Sequence, residues 1–281
     1  MKAPVLAAAT IAAAIVFLAA STPLPSRLLQ RAGQMGRRDT SAFRVAERLV
    51  PGTFNGRVFR ENGVELRYQL FLPRDYDRSR RWPVIVALHG SAEKGSDGVR
   101  QLGVGVGKVV RARAATFPAV VLLPQVPSDG KVTEWTPALT RMADSVMREV
   151  NGDPDRLYLS GLSMGGILAY DMVYHHPGKF AALVTISAHV VIQPTADRAS
   201  RFPIVQAHPA EARALGRTPV WIFQGAHDDA ALAPETRDLV ATLKASGVPV
   251  TYTEYADDGH AIWDRAYQTP GLWEWLFAQH R

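Results

Sequence analysis

The sequence predicts an α/β protein, a mostly parallel sheet with helices on both faces. Three observations point there. The runs Pro83–Leu88, Ala119–Leu123 and Val220–Phe223 are continuously apolar, and Ala181–Ile186 is apolar but for Thr185, as strands covered on both faces are. Other segments carry apolar residues at helical spacing. Runs and helical segments alternate along the chain, the order that a parallel sheet with crossover helices needs.

The elements follow from Gly63 onward. Val64–Leu72 alternates apolar and polar residues and then meets Pro73, which predicts a half-exposed strand near a sheet edge. Pro83–Leu88 and Ala119–Leu123 are buried strands. Residues 137–150 form a helix with Pro137 in its first turn, where its missing N–H costs nothing. Arg156–Ser160 is a short strand, and a helix opens at Ser163 and runs to about His175. Ala181–Ile186 and Val220–Phe223 are further buried strands. Residues 235–246 are helical and stop at Gly247. Val248–Tyr255 is a strand, and Leu272–Gln279 a last helix.

Parallel sheets of this kind place ligands outside the carboxyl ends of their strands, so chemistry-bearing residues should follow strands directly. They do. In Gly161-Leu-Ser-Met-Gly165 the serine stands between a strand and a helix. A sharp turn there lifts the Ser163 hydroxyl clear of the sheet, and Gly161 and Gly165 remove side chains that would collide in the turn. The helix N-terminus below also favours developing negative charge. A glycine-rich turn with a capping serine is the plain alternative for this stretch taken alone. Pro83–Leu88 runs into His89-Gly-Ser-Ala-Glu-Lys-Gly-Ser-Asp97, and the backbone N–H groups of Ser91 and Met164 are the expected oxyanion donors. His89, the last residue before that loop, is expected to hold its shape. Val220–Gly225 ends in Ala226-His-Asp-Asp229, so Asp228 or Asp229 supplies an acid. The strand ending at Tyr255 leads to Asp257-Asp-Gly-His260, and His260 is the base.

The order serine, aspartate, histidine along the chain resembles the α/β-hydrolase superfamily. Within it, the chain resembles the bacterial predicted-peptidase and phospholipase/carboxylesterase-like group, near polyhydroxybutyrate-depolymerase-like and feruloyl-esterase-like enzymes. The resemblance covers about residues 58–280. It rests on Leu88–Asp97, on Leu123-Pro-Gln-Val-Pro127 followed by Trp135, on Asp155–Gly166, on Trp221–Asp229, and on Asp258-Gly-His260 with Trp263 after it. It implies the α/β-hydrolase fold. The family's acid stands three residues after a glycine closing the strand, and Gly225 then selects Asp228. The chain departs from the family in having Gln224 where histidine is usual, and Ala230–Pro234 where Val-Pro tends to follow the acid. The segment His189–Thr218 is long for the group. It is either a plain surface loop or an overhang whose Ile192, Phe202, Pro203 and Ile204 contact substrate.

The activity so expected is hydrolysis of a small-molecule or polymeric carboxylic ester through an acyl-enzyme. Neither a metal nor an organic cofactor is required. A serine peptidase of the same fold and a non-catalytic exported binding protein on a hydrolase scaffold are the alternatives. The absence of cysteine excludes disulfides, thiolate metal sites and cysteine nucleophiles.

The ends of the chain add a compartment. Lys2, the apolar run Ala3–Ala20 broken only by Thr10, and Ala19-Ala-Ser21 read as a signal peptide over residues 1–21, hence an exported protein, periplasmic or secreted. An uncleaved membrane anchor is the rival reading. Residues 22–57 form a basic arm or linker before a catalytic domain at 58–281. The formal net charge of +6 is concentrated there, with Arg27, Arg31, Arg37, Arg38, Arg44, Arg48, Arg57 and, just beyond, Arg60 opposed only by Asp39 and Glu47. A solvated arm is the simple expectation, and contact with an anionic membrane surface the alternative. No recognised nucleic-acid-binding motif is present, so no nucleic-acid partner is expected.

Overall fold

The computed structural model describes residues 45–130, 132–190, 208–230 and 233–281. Residues 1–44, most of the basic arm and Ile192, Phe202, Pro203 and Ile204 lie outside the described residues.

Eight strands form one sheet. They are β1 (Phe54–Glu61), β2 (Val64–Phe71), β3 (Trp82–Leu88), β4 (Val120–Pro124), β5 (Gly152–Leu162), β6 (Ala182–Ile186), β7 (Val220–Gly225) and β8 (Val250–Tyr255), in the order β1-β2-β4-β3-β5-β6-β7-β8. β2 runs antiparallel to both β1 and β4, and β4, β3, β5, β6, β7 and β8 pair parallel. The helices are α1 (Gly105–Arg113), α2 (Thr136–Glu149), α3 (Met164–His175), α4 (His208–Leu215), α5 (Ala233–Ala245), α6 (Trp263–Ala266) and α7 (Leu272–Phe277).

The apolar runs are explained by two cores. Alternate residues of β3 point to opposite faces: Val84, Val86 and Leu88 join one cluster, while Ile85 and Ala87 join the other. On the first face the sheet is covered by α2, α3, α4 and α5 through residues such as Met142, Leu168, Leu215 and Leu243. On the second it is covered by α1, α6 and α7 through Val110, Ala266, Trp273 and Leu276. Among the described residues no helix is long and apolar enough to cross a membrane.

The fold begins before position 58. β1 pairs with β2 along its whole length, through a two-residue turn at Asn62 (φ 50°) and Gly63 (φ 78°), and Val45 bridges to Gly56. Residues 54–57, read as linker, are thus strand. β2 is next to the edge, which makes it more buried than its alternation suggests. α1 and α4 are also additions to the expected elements, and α4 occupies the end of the long segment before β7.

Candidate active site

β3, β5, β7 and β8 all end at one edge of the sheet, and the four loops that leave them build the site. At the end of β5 the backbone of Ser163 takes φ 50°, ψ −121°, a conformation that costs a non-glycine residue about 1–3 kcal/mol and persists only where its surroundings enforce it. The surroundings here are main chain. Ser163 N–H donates to Ile186 O at 2.8 Å. A Cβ on Gly161 would lie 2.2 Å from Gly165 O, and one on Gly165 would lie 2.2 Å from Leu88 O. No side chain fits at either place, so the turn folds back on itself and against the end of β3.

The Ser163 hydroxyl lies 2.8 Å from His260 Nε2. His260 Nδ1 lies 3.0 Å from Asp228 Oδ1 and 2.9 Å from Oδ2. A carboxylate only accepts, so Nδ1 carries the proton and donates, which leaves Nε2 to accept from the serine hydroxyl. The Asp228 side chain is fully buried, whereas His260 is 31% exposed, so the imidazole bridges a dry carboxylate and the solvent-facing side of the site. Trp263 stands edge-on to the His260 ring, with centroids 5.8 Å apart. Asp229 is exposed, so geometry selects Asp228 of the two adjacent acids.

Asp228 has further partners. Ala230 N–H donates to Oδ1 at 2.9 Å, and Gln224 Nε2 donates to Oδ2 at 2.9 Å. Thr236 Oγ1 donates in turn to Gln224 Oε1 at 3.1 Å, which fixes which way the amide faces. Gln224 thus does useful structural work at the position where the family usually has histidine. The loops carrying acid and base also touch through main chain, since a Cβ on Gly225 would lie 2.1 Å from Gly259 O, and His227 N–H donates to Asp258 O at 3.0 Å.

The two expected oxyanion donors flank the serine. Met164 is the first residue of α3, so its N–H has no carbonyl within the helix to bond. Ser91 opens a short 3₁₀ turn, and the Gly90 before it faces Ser163, a Cβ on Gly90 lying 3.7 Å from Ser163 Cβ. His89 orients this peptide. Val126 N–H donates to its Nε2 at 2.9 Å, so Nδ1 holds the proton and donates to Gly90 O at 2.6 Å. In a trans peptide the N–H points opposite to the C=O, so the Ser91 N–H turns away from His89. Burial pushes the His89 imidazole down to about 4, which keeps it neutral in this role.

His189, after β6, also belongs to the surroundings of the site. Burial lowers its pKa, while the charges of Asp228 and His260 act on it in opposite directions. Among the described residues no group of three or more histidines and carboxylates is arranged to hold a metal ion. In sequence Gln224 stands out only as a departure from the family pattern and as a polar amide inside an otherwise apolar strand run, and neither Thr236 nor His189 carries a signal of its place beside the site.

The Esterase family matches residues 61–274, so the chain belongs to that family. A protein of Oryza sativa subsp. japonica named a probable carboxylesterase is 24% identical over 157 residues, 54% of this chain and 62% of that one. Among solved structures, one titled a thermostable esterase superposes with a TM-score of 0.69 at 28% identity, covering 81% of this chain and 63% of that one. A ferulic acid esterase gives 0.58 at 18% identity over 80% of this chain and 96% of its own. The acylaminoacyl peptidase of Pyrococcus horikoshii gives 0.57 at 14%, over 76% of this chain and 39% of its own, and at that identity shares the fold alone. The chain spans somewhat under two thirds of the rice protein and of the thermostable esterase. This chain has the α/β-hydrolase fold.

Proposed function

We propose that the protein hydrolyses carboxylic esters through an acyl-enzyme on Ser163. The observation that carries this is the hydrogen-bonded row Ser163–His260–Asp228 at the carboxyl edge of the sheet. His260 Nε2 takes the hydroxyl proton as Ser163 Oγ attacks the ester carbonyl. The carbonyl oxygen becomes an oxyanion between the N–H groups of Ser91 and Met164. His260 then gives its proton to the departing alkoxide, which leaves as the alcohol. A water repeats the sequence on the acyl-enzyme, releasing the acid and regenerating Ser163. Asp228 keeps the proton on Nδ1 and stabilises the imidazolium. Membership of the Esterase family supports the ester as substrate. The apolar segment before Ser21 extends the proposal to an exported enzyme, which N-terminal sequencing of the protein from its host would check.

The test is covalent labelling by a fluorophosphonate, together with turnover of p-nitrophenyl esters and p-nitroanilide peptides. Wild type should label and cleave esters in preference to anilides, and Ser163→Ala should lose labelling and about six orders of magnitude in kcat. A Ser163→Ala enzyme that still turns over esters would refute the assignment.

A further inference from the structure

The mechanism leaves one charged side chain beside the nucleophile unused. Glu93 ends the 3₁₀ turn that carries Ser91. A Cβ on Gly90 would lie 3.3 Å from Glu93 Oε2 and 3.7 Å from Ser163 Cβ, so the carboxylate and the serine flank the same glycine. The main chain from which this side chain springs is fixed. Glu93 N–H donates to Gly90 O at 3.3 Å, Gln125 Nε2 donates to Glu93 O at 3.0 Å, and His89 Nδ1 fixes the same Gly90 O at 2.6 Å. Among the described residues no cation pairs with Glu93. The arginine of the same loop, Arg100, is taken by Asp97 at 2.7 Å, and the neighbouring Lys94 makes no ion pair with it. Burial raises the Glu93 pKa, and the backbone amides of Glu93 and Gly90 offset this only in part.

A half-buried carboxylate with no counter-charge among the described residues opposes the oxyanion that forms beside it. A positive charge on the substrate removes that opposition and gains attraction to a partly desolvated carboxylate. Resting on Ser163 as the nucleophile, we infer that Glu93 is a specificity residue, whose carboxylate receives a cationic group of the ester, such as an ammonium close to the scissile carbonyl, and disfavours anionic esters.

The test compares wild type with Glu93→Gln, which keeps the size and an acceptor oxygen but not the charge. Two substrate pairs differ only by nitrogen for carbon. Butyrylcholine is set against 3,3-dimethylbutyl butyrate for the alcohol side, and trimethylglycine ethyl ester against ethyl 3,3-dimethylbutanoate for the acyl side. Intrinsic reactivity cancels when the cation-to-neutral ratio of kcat/KM is compared between the two enzymes. That ratio should fall about five-fold or more in Glu93→Gln for at least one pair, and further in Glu93→Lys. A smaller change in both pairs overturns the inference. If Glu93→Gln does not fold, as judged by its melting curve, Glu93→Ala replaces it. If wild type cleaves none of the four esters, the rate of Ser163 phosphorylation by a cationic organophosphate and its uncharged analogue gives the same ratio. Phosphorylation indifferent to charge in both enzymes overturns the role of Glu93 alone, whereas no phosphorylation of Ser163 refutes the serine-hydrolase mechanism beneath it.

Discussion

Replacing Gly165 by alanine tests whether main-chain packing sets the catalytic geometry. Gly165 lies within α3, so its backbone conformation suits alanine and conformation carries no penalty. The whole effect must come from contact. The new Cβ would sit 2.2 Å from Leu88 O, 2.5 Å from Leu88 C and 2.7 Å from His89 O. All three are backbone atoms, so no side chain can swing away. A carbon and a carbonyl oxygen need about 3.2 Å, so α3 and the end of β3 must separate by about 1 Å. That separation lies between Ser163 and the Ser91 donor, and misplacement by about 1 Å costs on the order of 100-fold in rate. Overpacking should cost about 1–3 kcal/mol of stability besides. Gly90→Ala is the control. Gly90 has extended backbone (φ −77°, ψ 178°), and its new Cβ would first meet the end of the Leu162 side chain at 2.9 Å, which can give. The assay is kcat/KM for p-nitrophenyl butyrate with thermal melting of both variants. Gly165→Ala should lose about 100-fold and Gly90→Ala less than about 10-fold. A Gly165→Ala enzyme within about three-fold of wild type, or a Gly90→Ala enzyme equally damaged, would refute the reasoning.

Other outcomes follow from buried polar groups. Gln224→Met keeps the volume but removes a hydrogen bond to a buried carboxylate, which should cost about 2 kcal/mol in urea unfolding and lower kcat about 10-fold with little change in KM. An unchanged kcat would show that Asp228 needs no support from Gln224. The pH dependence of stability should show two opposed slopes. Burial lowers His89 from 6.5 to about 4, so its contribution is complete above pH 6.5 and is lost as pH falls toward 4, about 3 kcal/mol in all. Burial, and then the charge of Asp171, raise Glu211 from 4.5 to about 8, so its contribution is complete below pH 4.5 and is lost as pH rises toward 8, about 5 kcal/mol in all. The slopes cancel between pH 4.5 and 6.5, and above pH 6.5 stability falls. Glu211→Gln should abolish that fall, and a variant that still loses stability from pH 6.5 to 8 would contradict the assignment to Glu211.

The parts of the fold that could be read from sequence are those where local pattern and burial agree. β3, β4, β6 and β7 are covered on both faces, so each is a short apolar run that little else imitates. β1 is an edge strand bearing Arg57, Arg60 and Glu61, whose charges blend into the basic arm before it. Its signature was present in the Asn62-Gly63 turn rather than in the strand itself. α1 contains Gly105 and Gly107, which argue against a helix by propensity. Gly107 is there because a Cβ would lie 2.5 Å from Gln101 O, a close approach that sequence does not reveal. α4 was obscured by Glu211, a carboxyl with no exposed surface on the face where a helix pattern calls for an apolar residue.

At the site the division falls between groups that follow strands and groups that support them. Ser163, Asp228 and His260 each stand just beyond a strand end, and the topology of a parallel sheet brings such positions together whatever the details of packing. Gln224 and Thr236 are twelve residues apart, and nothing local to either announces their pairing. The glycines are intermediate cases. Gly161, Gly165 and Gly225 stand out as glycines, but their partners, Gly165 O, Leu88 O and Gly259 O, depend on which loops meet. These contacts join the β5 turn to the end of β3 and the acid loop to the base loop through peptide groups, which have no rotamers to relax. The site therefore separates two kinds of substitution. On the proposed mechanism, truncating Ser163 removes the chemistry and leaves the loops in register, while enlarging Gly165 or Gly225 keeps every reacting atom and moves it. The first should leave unfolding unchanged while abolishing turnover. The second should lower both together, and the ratio of the two losses measures how far the catalytic geometry is owed to the main chain.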